Sequence, residues 1–182
     1  ALKFEDWSET KRAAPATTEI ILLLASVRKS KTFLDLLIRL SRAVAHDGLL
    51  RCGELTSGLT GRRIMVRDGR RGGFRARLLR TKTGRTGPGP WVEFFESGSS
   101  ESATSLERRW RRVTGLGPDR PSEFWLPELV FSKGEPVGID WSKSLSRRTF
   151  VAALRFDLAK VGLEPRLYSG HSLRAGGATD LF

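Results

Sequence analysis

The sequence predicts an α+β domain that is mostly helical and contains a small three-stranded antiparallel sheet. Apolar residues recur at helical spacing over 20–44 and again over 144–161. Between these stretches, over 62–95, the period changes to two, which is typical of half-buried strands. A length of 182 residues fits one domain of this kind.

The composition is that of a globular protein with a polyanionic partner. Lys and Arg number 32 against 20 Asp and Glu, a formal charge of +12, which favours nucleic acid, and double-stranded DNA first, as the partner. No apolar run approaches the roughly 18 residues of a membrane span, so we expect no membrane partner. The charged N-terminus does not resemble a signal peptide, so we expect an intracellular protein, nuclear if the source is eukaryotic.

Metal and redox chemistry are not indicated. The single cysteine, Cys52, excludes an internal disulfide, and two distant histidines leave no zinc cluster. We therefore expect no metal and no cofactor. Arg51 beside Cys52 can lower the pKa of the thiol, but a small buried hydrophobe is the favoured interpretation of this cysteine.

The first part of the chain predicts an arm followed by two helices. Residues 1–16 show no clean period and predict an arm or linker, and the domain occupies 17–182. A first helix is predicted to be capped by residues 17–19, to contain the apolar run 20–25 and to end near 28–31. A second helix ends at Gly48. The core-facing stripe of this second helix consists of Phe33, Leu36, Leu37, Leu40 and Val44.

The next segment, 49–57, predicts a short helix that Arg51 opens, with Glu54 three residues later. Residues at this spacing share one side of a helix. One interpretation is a surface ion pair worth roughly 0.2–0.5 kcal/mol. The other is that Glu54 orients Arg51 toward a ligand.

The predicted sheet contains much of the positive charge. Between Arg62 and Arg85 there are ten basic residues and one acid, Asp68. The alternation places several arginines on the same side of the sheet, where the alternative to a binding surface is a solvated face. We predict DNA contacts for Arg62, Arg63, Arg75, Arg77, Arg80 and Arg85.

Two further helices are predicted beyond the sheet, over 106–113 and over 144–161 with Gly162 as the C-cap. The apolar, proline-containing stretch 123–131 has no clear assignment. Two arginines near the start of the helix over 144–161 oppose its dipole. Phosphate contacts and a solvated pair explain them equally well. They are Arg147 and Arg148.

The end of the chain predicts a phosphate site at a helix start. Pro165 ends the preceding element, and Ser169 and Ser172 can cap the new helix. His171 and Arg174 then lie on one face of its first turn. A helix N-terminus favours anions, so an imidazole and a guanidinium there make a compact phosphate site. The alternative is a capped helix with a solvated Arg and a partly buried His.

Lys82 lies in a predicted hairpin turn between these segments. Together with it, four of the residues above form an ordered set along the chain: Arg51, Glu54, Lys82, His171 and Arg174. The set resembles the catalytic domain of tyrosine recombinases, the phage-integrase family. The resemblance covers roughly 13–182 and breaks off before the family's last two active-site positions. It implies metal-independent DNA recombination or integration, as in mobile elements, through a 3′-phosphotyrosyl intermediate.

These side chains suit phosphoryl transfer. Arg51 and Arg174 can fork onto the non-bridging oxygens, where negative charge builds up. Lys82 can donate a proton to the departing 5′ oxygen, and His171 can bond the phosphate or accept the nucleophile's proton. Glu54 can orient Arg51 or His171. The resemblance implies the same roles.

The nucleophile is the gap in this set. The only tyrosine, Tyr168, precedes the H-x-x-R motif, whereas the family's nucleophile follows it, so we expect Tyr168 to pack or to contact DNA. We also expect the chain to be a piece of a longer protein that binds DNA but does not cleave it unaided. The sequence leaves undecided whether copies of the chain also form a homo-oligomer on DNA. Gly176 and Gly177 are costly inside a helix and predict close packing against a neighbour.

Three function classes are compared. The first is the tyrosine recombinase or integrase domain. The second is a non-catalytic basic DNA- or RNA-binding domain, either unrelated or a degenerate recombinase, which needs positive charge but not this ordered set. A metal-dependent nuclease, the third, would need clustered carboxylates that the sequence lacks. The ordered set favours the first class.

Overall fold

The computed structural model describes residues 13–28, 32–56, 59–67, 72–78, 89–116 and 120–181. Within these ranges the predicted α+β class is confirmed. No helix in these ranges is both long and apolar enough to cross a membrane. In chain order the elements are α1 (Thr18–Val27), α2 (Phe33–Asp47), α3 (Cys52–Leu55), β1 (Ile64–Arg67), β2 (Gly73–Arg77), β3 (Trp91–Phe95), α4 (Ala103–Thr114), β4 (Pro127–Ser132), β5 (Glu135–Ser144), α5 (Arg147–Lys160) and α6 (Ser172–Thr179).

Helix α2 is the centre of the core. Its start is capped by the Thr32 hydroxyl, which accepts a hydrogen bond from Asp35 N at 3.2 Å, and it ends at Gly48 as predicted. Leu37 and Leu40 are fully buried, whereas Phe33 at the first turn is half exposed. The helix packs against α4, α6 and β5, so it joins strand β5 to the end of the chain.

The three-stranded sheet has the order β1-β2-β3, with antiparallel pairs throughout. Its inner face buries Phe74 and Phe94, whose rings stack with centroids 4.4 Å apart. Arg75 and Arg77 alternate with the buried Phe74 and Ala76, so the sheet presents both arginines on its outer face.

A second sheet, the β4–β5 hairpin, occupies the stretch that had no assignment from sequence. Lys133 and Gly134 form a two-residue turn with φ of 49° and 83°, the backbone that a tight hairpin requires. The strands bulge at Pro127/Glu128 and at Val130/Phe131. These bulges interrupt the period of two, and the hairpin therefore gives no clean alternation in the sequence.

Because β5 runs to Ser144, the predicted start of helix α5 at that residue is corrected to Arg147. Leu145 N bonds Leu126 O at 2.9 Å, which keeps the chain on the hairpin for one more residue. The Ser146 hydroxyl then caps α5 by accepting from Thr149 N at 3.3 Å.

A buried ion network joins the first helices to α5. Asp157 is fully buried and accepts from Arg28 through two bonds, Nε at 2.9 Å and Nη2 at 2.6 Å. Arg42 Nη2 donates to the same carboxylate and to Ala153 O. Arg28 also pairs with Asp35 at 3.2 Å. Two guanidiniums and two carboxylates therefore balance one another inside the core.

Candidate nucleic-acid interface

Arg51 stands at the start of α3, where the chain turns away from α2. The Glu54 carboxylate accepts from Arg51 N at 2.8 Å and from Arg51 Nη1 at 3.1 Å. Glu54 is buried, but the Arg51 side chain is 40% exposed. The pair therefore differs from a fully solvated surface ion pair in that its acid is buried, and the orienting role of Glu54 stays a prediction.

Helix α6 lies beside this turn and brings Arg174 to it. Arg174 Nη1 donates to Leu49 O at 2.9 Å. Leu49 has a φ of 49°, an uncommon conformation for a branched residue, and its carbonyl accepts this bond. His171 precedes the first turn of α6 and is exposed. The fold thus places the segments of Arg51 and Arg174, 123 positions apart in sequence, next to each other.

Gly170 fixes how closely the two segments approach. A Cβ built on Gly170 would lie 2.6 Å from Cys52 Cβ and 3.0 Å from its Sγ, and 3.6 Å from Val151 on α5. The starts of α3, α5 and α6 therefore meet around Cys52. Burial raises the pKa of the Cys52 thiol, opposed by the nearby charge of Arg147. Cys52 is a buried thiol, as predicted, and Arg147 belongs to the same neighbourhood as Arg51.

The loop before His171 is held by its own polar groups. Ser172 Oγ accepts from Ser169 N at 3.0 Å, and Ser169 Oγ accepts from His171 N at 3.2 Å. The serines therefore bond this turn and not the helix start that the sequence suggested, since α6 has no side-chain cap. Arg155 Nε donates to Tyr168 O at 3.2 Å. Tyr168 itself is only 6% exposed, so it packs in the core.

The backbone of two other segments packs directly against the glycines of α6. A Cβ on Gly176 would lie 1.9 Å from Ala16 O, and a Cβ on Gly177 would lie 2.4 Å from His46 O. The close packing predicted for these glycines is confirmed. Residues 13–16 of the predicted arm run along this helix, with Ala16 N donating to Ser172 O at 2.8 Å.

The predicted DNA-contacting arginines fall into three groups. Arg62 and Arg63 form a 3-10 turn before β1, with Arg62 exposed. Arg75 and Arg77 lie over the Trp91 ring, at 4.5 and 5.6 Å from its centroid. Arg148 is exposed at the start of α5, as is Arg147. Lys82, Arg80 and Arg85 lie outside the described residues, so their roles stay predictions.

Sequence reasoning missed two contributors to this surface. Trp91 was assigned only to a strand, but it lies directly opposite Arg77 and diagonal to Arg75 on β2, so both guanidiniums reach its ring. Arg155 was not singled out, and no local pattern marks its bond to Tyr168 O. Within the described ranges, no three His, Cys, Asp or Glu side chains cluster as metal ligands would.

No protein-family model matches the chain, and no curated protein matches it either. Function is therefore inferred from the side chains that the fold brings together.

Proposed function

We propose that the chain binds double-stranded DNA and holds one phosphate between Arg51 and Arg174, as the catalytic domain of a tyrosine recombinase does. The observation that carries this proposal is the hydrogen bond from Arg174 to Leu49 O beside the Glu54-oriented Arg51. A purely structural Arg51 would not need to keep its side chain 40% exposed. Arg147, which acts on the Cys52 thiol, adds a third cation.

In this proposal the two guanidiniums stabilise the charge that develops on the phosphate oxygens. A tyrosine hydroxyl would attack phosphorus while the bond to the 5′ oxygen breaks. His171 would take the tyrosine's proton, and Lys82 would give a proton to the departing oxygen. Recombination or integration would follow from transfer of the 3′-phosphotyrosyl strand.

DNA binding is expected to depend steeply on salt. If roughly four arginines neutralise phosphates, affinity for a fluorescein-labelled duplex should fall about 100-fold between about 50 and 200 mM NaCl. Arg51→Gln should lower the log–log salt slope by about 1. Fluorescence anisotropy measures both, with Arg120→Gln as the control because Arg120 pairs with Glu123 on the surface instead.

Two outcomes would count against the proposal in different ways. Absence of duplex binding at low salt would contradict DNA binding altogether. Binding that Arg51→Gln and Arg174→Gln leave unchanged would contradict the phosphate site and favour the non-catalytic basic DNA- or RNA-binding domain.

Covalent cleavage by this chain alone is not expected, because Tyr168 is buried and its carbonyl is held by Arg155. A nicked duplex incubated with the protein should give no adduct on a denaturing gel, and Tyr168→Phe should behave identically. An adduct that disappears in Tyr168→Phe would make Tyr168 the nucleophile and overturn its assignment to the core.

A further inference from the structure

His46, near the end of α2, lies buried between two carboxylates. Its Nδ1 is 3.0 Å from Asp47 Oδ1, and its Nε2 is 3.0 Å from Asp180 Oδ2. An ionised carboxylate only accepts hydrogen bonds, so each ring nitrogen must donate one. Both nitrogens of an imidazole donate only when the ring is protonated, which makes His46 an imidazolium in this arrangement.

Both carboxylates also accept hydrogen bonds from donors other than His46. Asp180 Oδ2 also accepts from Thr18 N at 2.8 Å and from Thr18 Oγ1 at 2.7 Å, at the start of α1. The second oxygen of Asp47 accepts from Ala103 N at 2.8 Å, at the start of α4. Neither carboxylate can turn away from His46 without giving up a helix cap. The imidazolium therefore ties the ends of α2 and α6 to the starts of α1 and α4.

The charges around the ring favour this state. Burial lowers the pKa of His46, but the hydrogen bonds and charges of Asp47 and Asp180 outweigh it, so the pKa is raised. Burial raises the pKa of Asp180, but the bonds from Thr18 and His46 outweigh it and the pKa is lowered. Glu19 on α1 also faces Asp180. Glu101, which lines the cavity beside His46, is paired with Arg39.

The pH window follows from these directions. The stabilisation from a raised His46 pKa is complete below about pH 6.5, the ordinary histidine value, and is lost as the pH rises through the raised pKa. The contribution of Asp180 has the opposite sign, since it is lost only as the pH falls through the lowered pKa of that carboxyl. The ion triad is therefore intact in mildly acidic solution and opens on the alkaline side.

The triad acts on the helix that carries the proposed phosphate ligands. Asp180 directly follows α6, and Gly177 of the same helix lies against His46 O. His171 and Arg174 stand at the other end of this two-turn helix. A short helix moves as a unit, so releasing its end at Asp180 shifts both side chains relative to Arg51.

We propose that His46, as an imidazolium shared by Asp47 and Asp180, is a positioning residue that seats α6 and thereby places His171 and Arg174. Loss of its proton leaves one N–H for two carboxylates, so one carboxylate faces a lone pair and the end of α6 loosens. The consequence for DNA rests on the proposed function, whereas the ion triad itself does not.

The chain contains two histidines, so the triad can be tested by NMR without any His46 variant. Histidine-labelled protein gives two Cε1–H signals, and the signal of His46 should titrate above the ordinary histidine value of about 6.5. His171→Gln assigns the two signals. Asp180→Asn should lower the pKa of His46, because the variant removes one of the charges that raise it. A His46 signal that titrates at or below 6.5, or that Asp180→Asn leaves unchanged, would overturn the triad.

The positioning role has a separate readout in DNA affinity between pH 6 and 9. Wild-type affinity should fall by roughly 10-fold as the pH passes the pKa of His46, a loss that corresponds to about 1.4 kcal/mol. His46→Gln should bind DNA at pH 6 as weakly as the wild type does at pH 9, and its affinity should not fall between these two pH values. His171→Gln should bind DNA more weakly than the wild type, but its affinity should still fall as the pH passes the pKa of His46.

The two proposals fail differently. No duplex binding at any pH would contradict the proposed function, while the NMR titration would still decide the triad. If the pKa of His46 is raised but the DNA affinity does not change as His46 loses its proton, the triad is structural and does not position α6 for DNA.

Discussion

Gly176→Ala should destabilise the domain by about 3 kcal/mol, at the upper end of overpacking effects. The new methyl carbon would lie 1.9 Å from Ala16 O and 2.2 Å from Ala16 C. These are backbone atoms, which cannot move aside by changing a rotamer. The higher helix propensity of alanine, worth roughly 1 kcal/mol, offsets only part of the cost. Urea denaturation followed by circular dichroism measures the loss.

The matched control is Gly53→Ala, because a Cβ at Gly53 in helix α3 meets nothing within 4 Å. We expect that variant to be unchanged or more stable by up to about 1 kcal/mol. Gly176→Ala should also weaken DNA binding, since Arg174 lies one half-turn earlier on the same helix. Equal stabilities of the two variants would show that α6 does not pack against Ala16.

Asp157→Asn should cost about 3–5 kcal/mol, the usual effect of removing one partner from a buried ion network. The asparagine would leave Arg28 and Arg42 buried, with Asp35 as the remaining acid of that network. An amide cannot accept the same bonds with a full negative charge. Urea denaturation at pH 7 gives the change in the free energy of unfolding.

Glu123→Gln is the control, since Glu123 and its partner Arg120 are both 52% exposed and the loss of this pair should leave stability unchanged within error. Acid stability distinguishes the two sites further. Burial raises the pKa of Asp157, but the bonds and charges of Arg28 and Arg42 outweigh it and hold that pKa below its usual value. The stabilisation is therefore present above about pH 4 and lost as the pH falls, so Asp157→Asn should flatten the acid limb of the stability curve. An acid limb as steep as that of the wild type would contradict this.

Local patterns predicted those parts of the fold that depend on neighbouring residues. The stripe of α2 and the alternation over 74–78 reflect burial of one face, which a periodic sequence records directly. The β4–β5 hairpin escaped prediction because its bulges disrupt that period. Its Lys133-Gly134 turn lacks the more familiar Asn-Gly signal.

The candidate site also contains parts that local patterns predicted and parts that they did not. The Arg51–Glu54 spacing and the anion-favouring start of α6 are local, and the fold places them side by side. The partner of Gly176 was not predictable, because Ala16 is 160 positions away and belongs to a segment without a periodic pattern. The same holds for Asp157, whose arginines lie 129 and 115 positions earlier. Contacts of this range are set by the assembled tertiary structure.

The bond between Thr18 and Asp180 spans 162 positions, and this separation constrains when the domain can mature during synthesis. At roughly 5–20 residues per second, a ribosome needs about 10–30 s to make the intervening chain. During that interval α1 exists without its acidic cap, and the arm has no α6 to bond. Arg51 and the basic residues of α5 emerge earlier, but His171 and Arg174 join them only at the end. The side chains of the proposed phosphate site therefore come together only after Asp180 has left the ribosome.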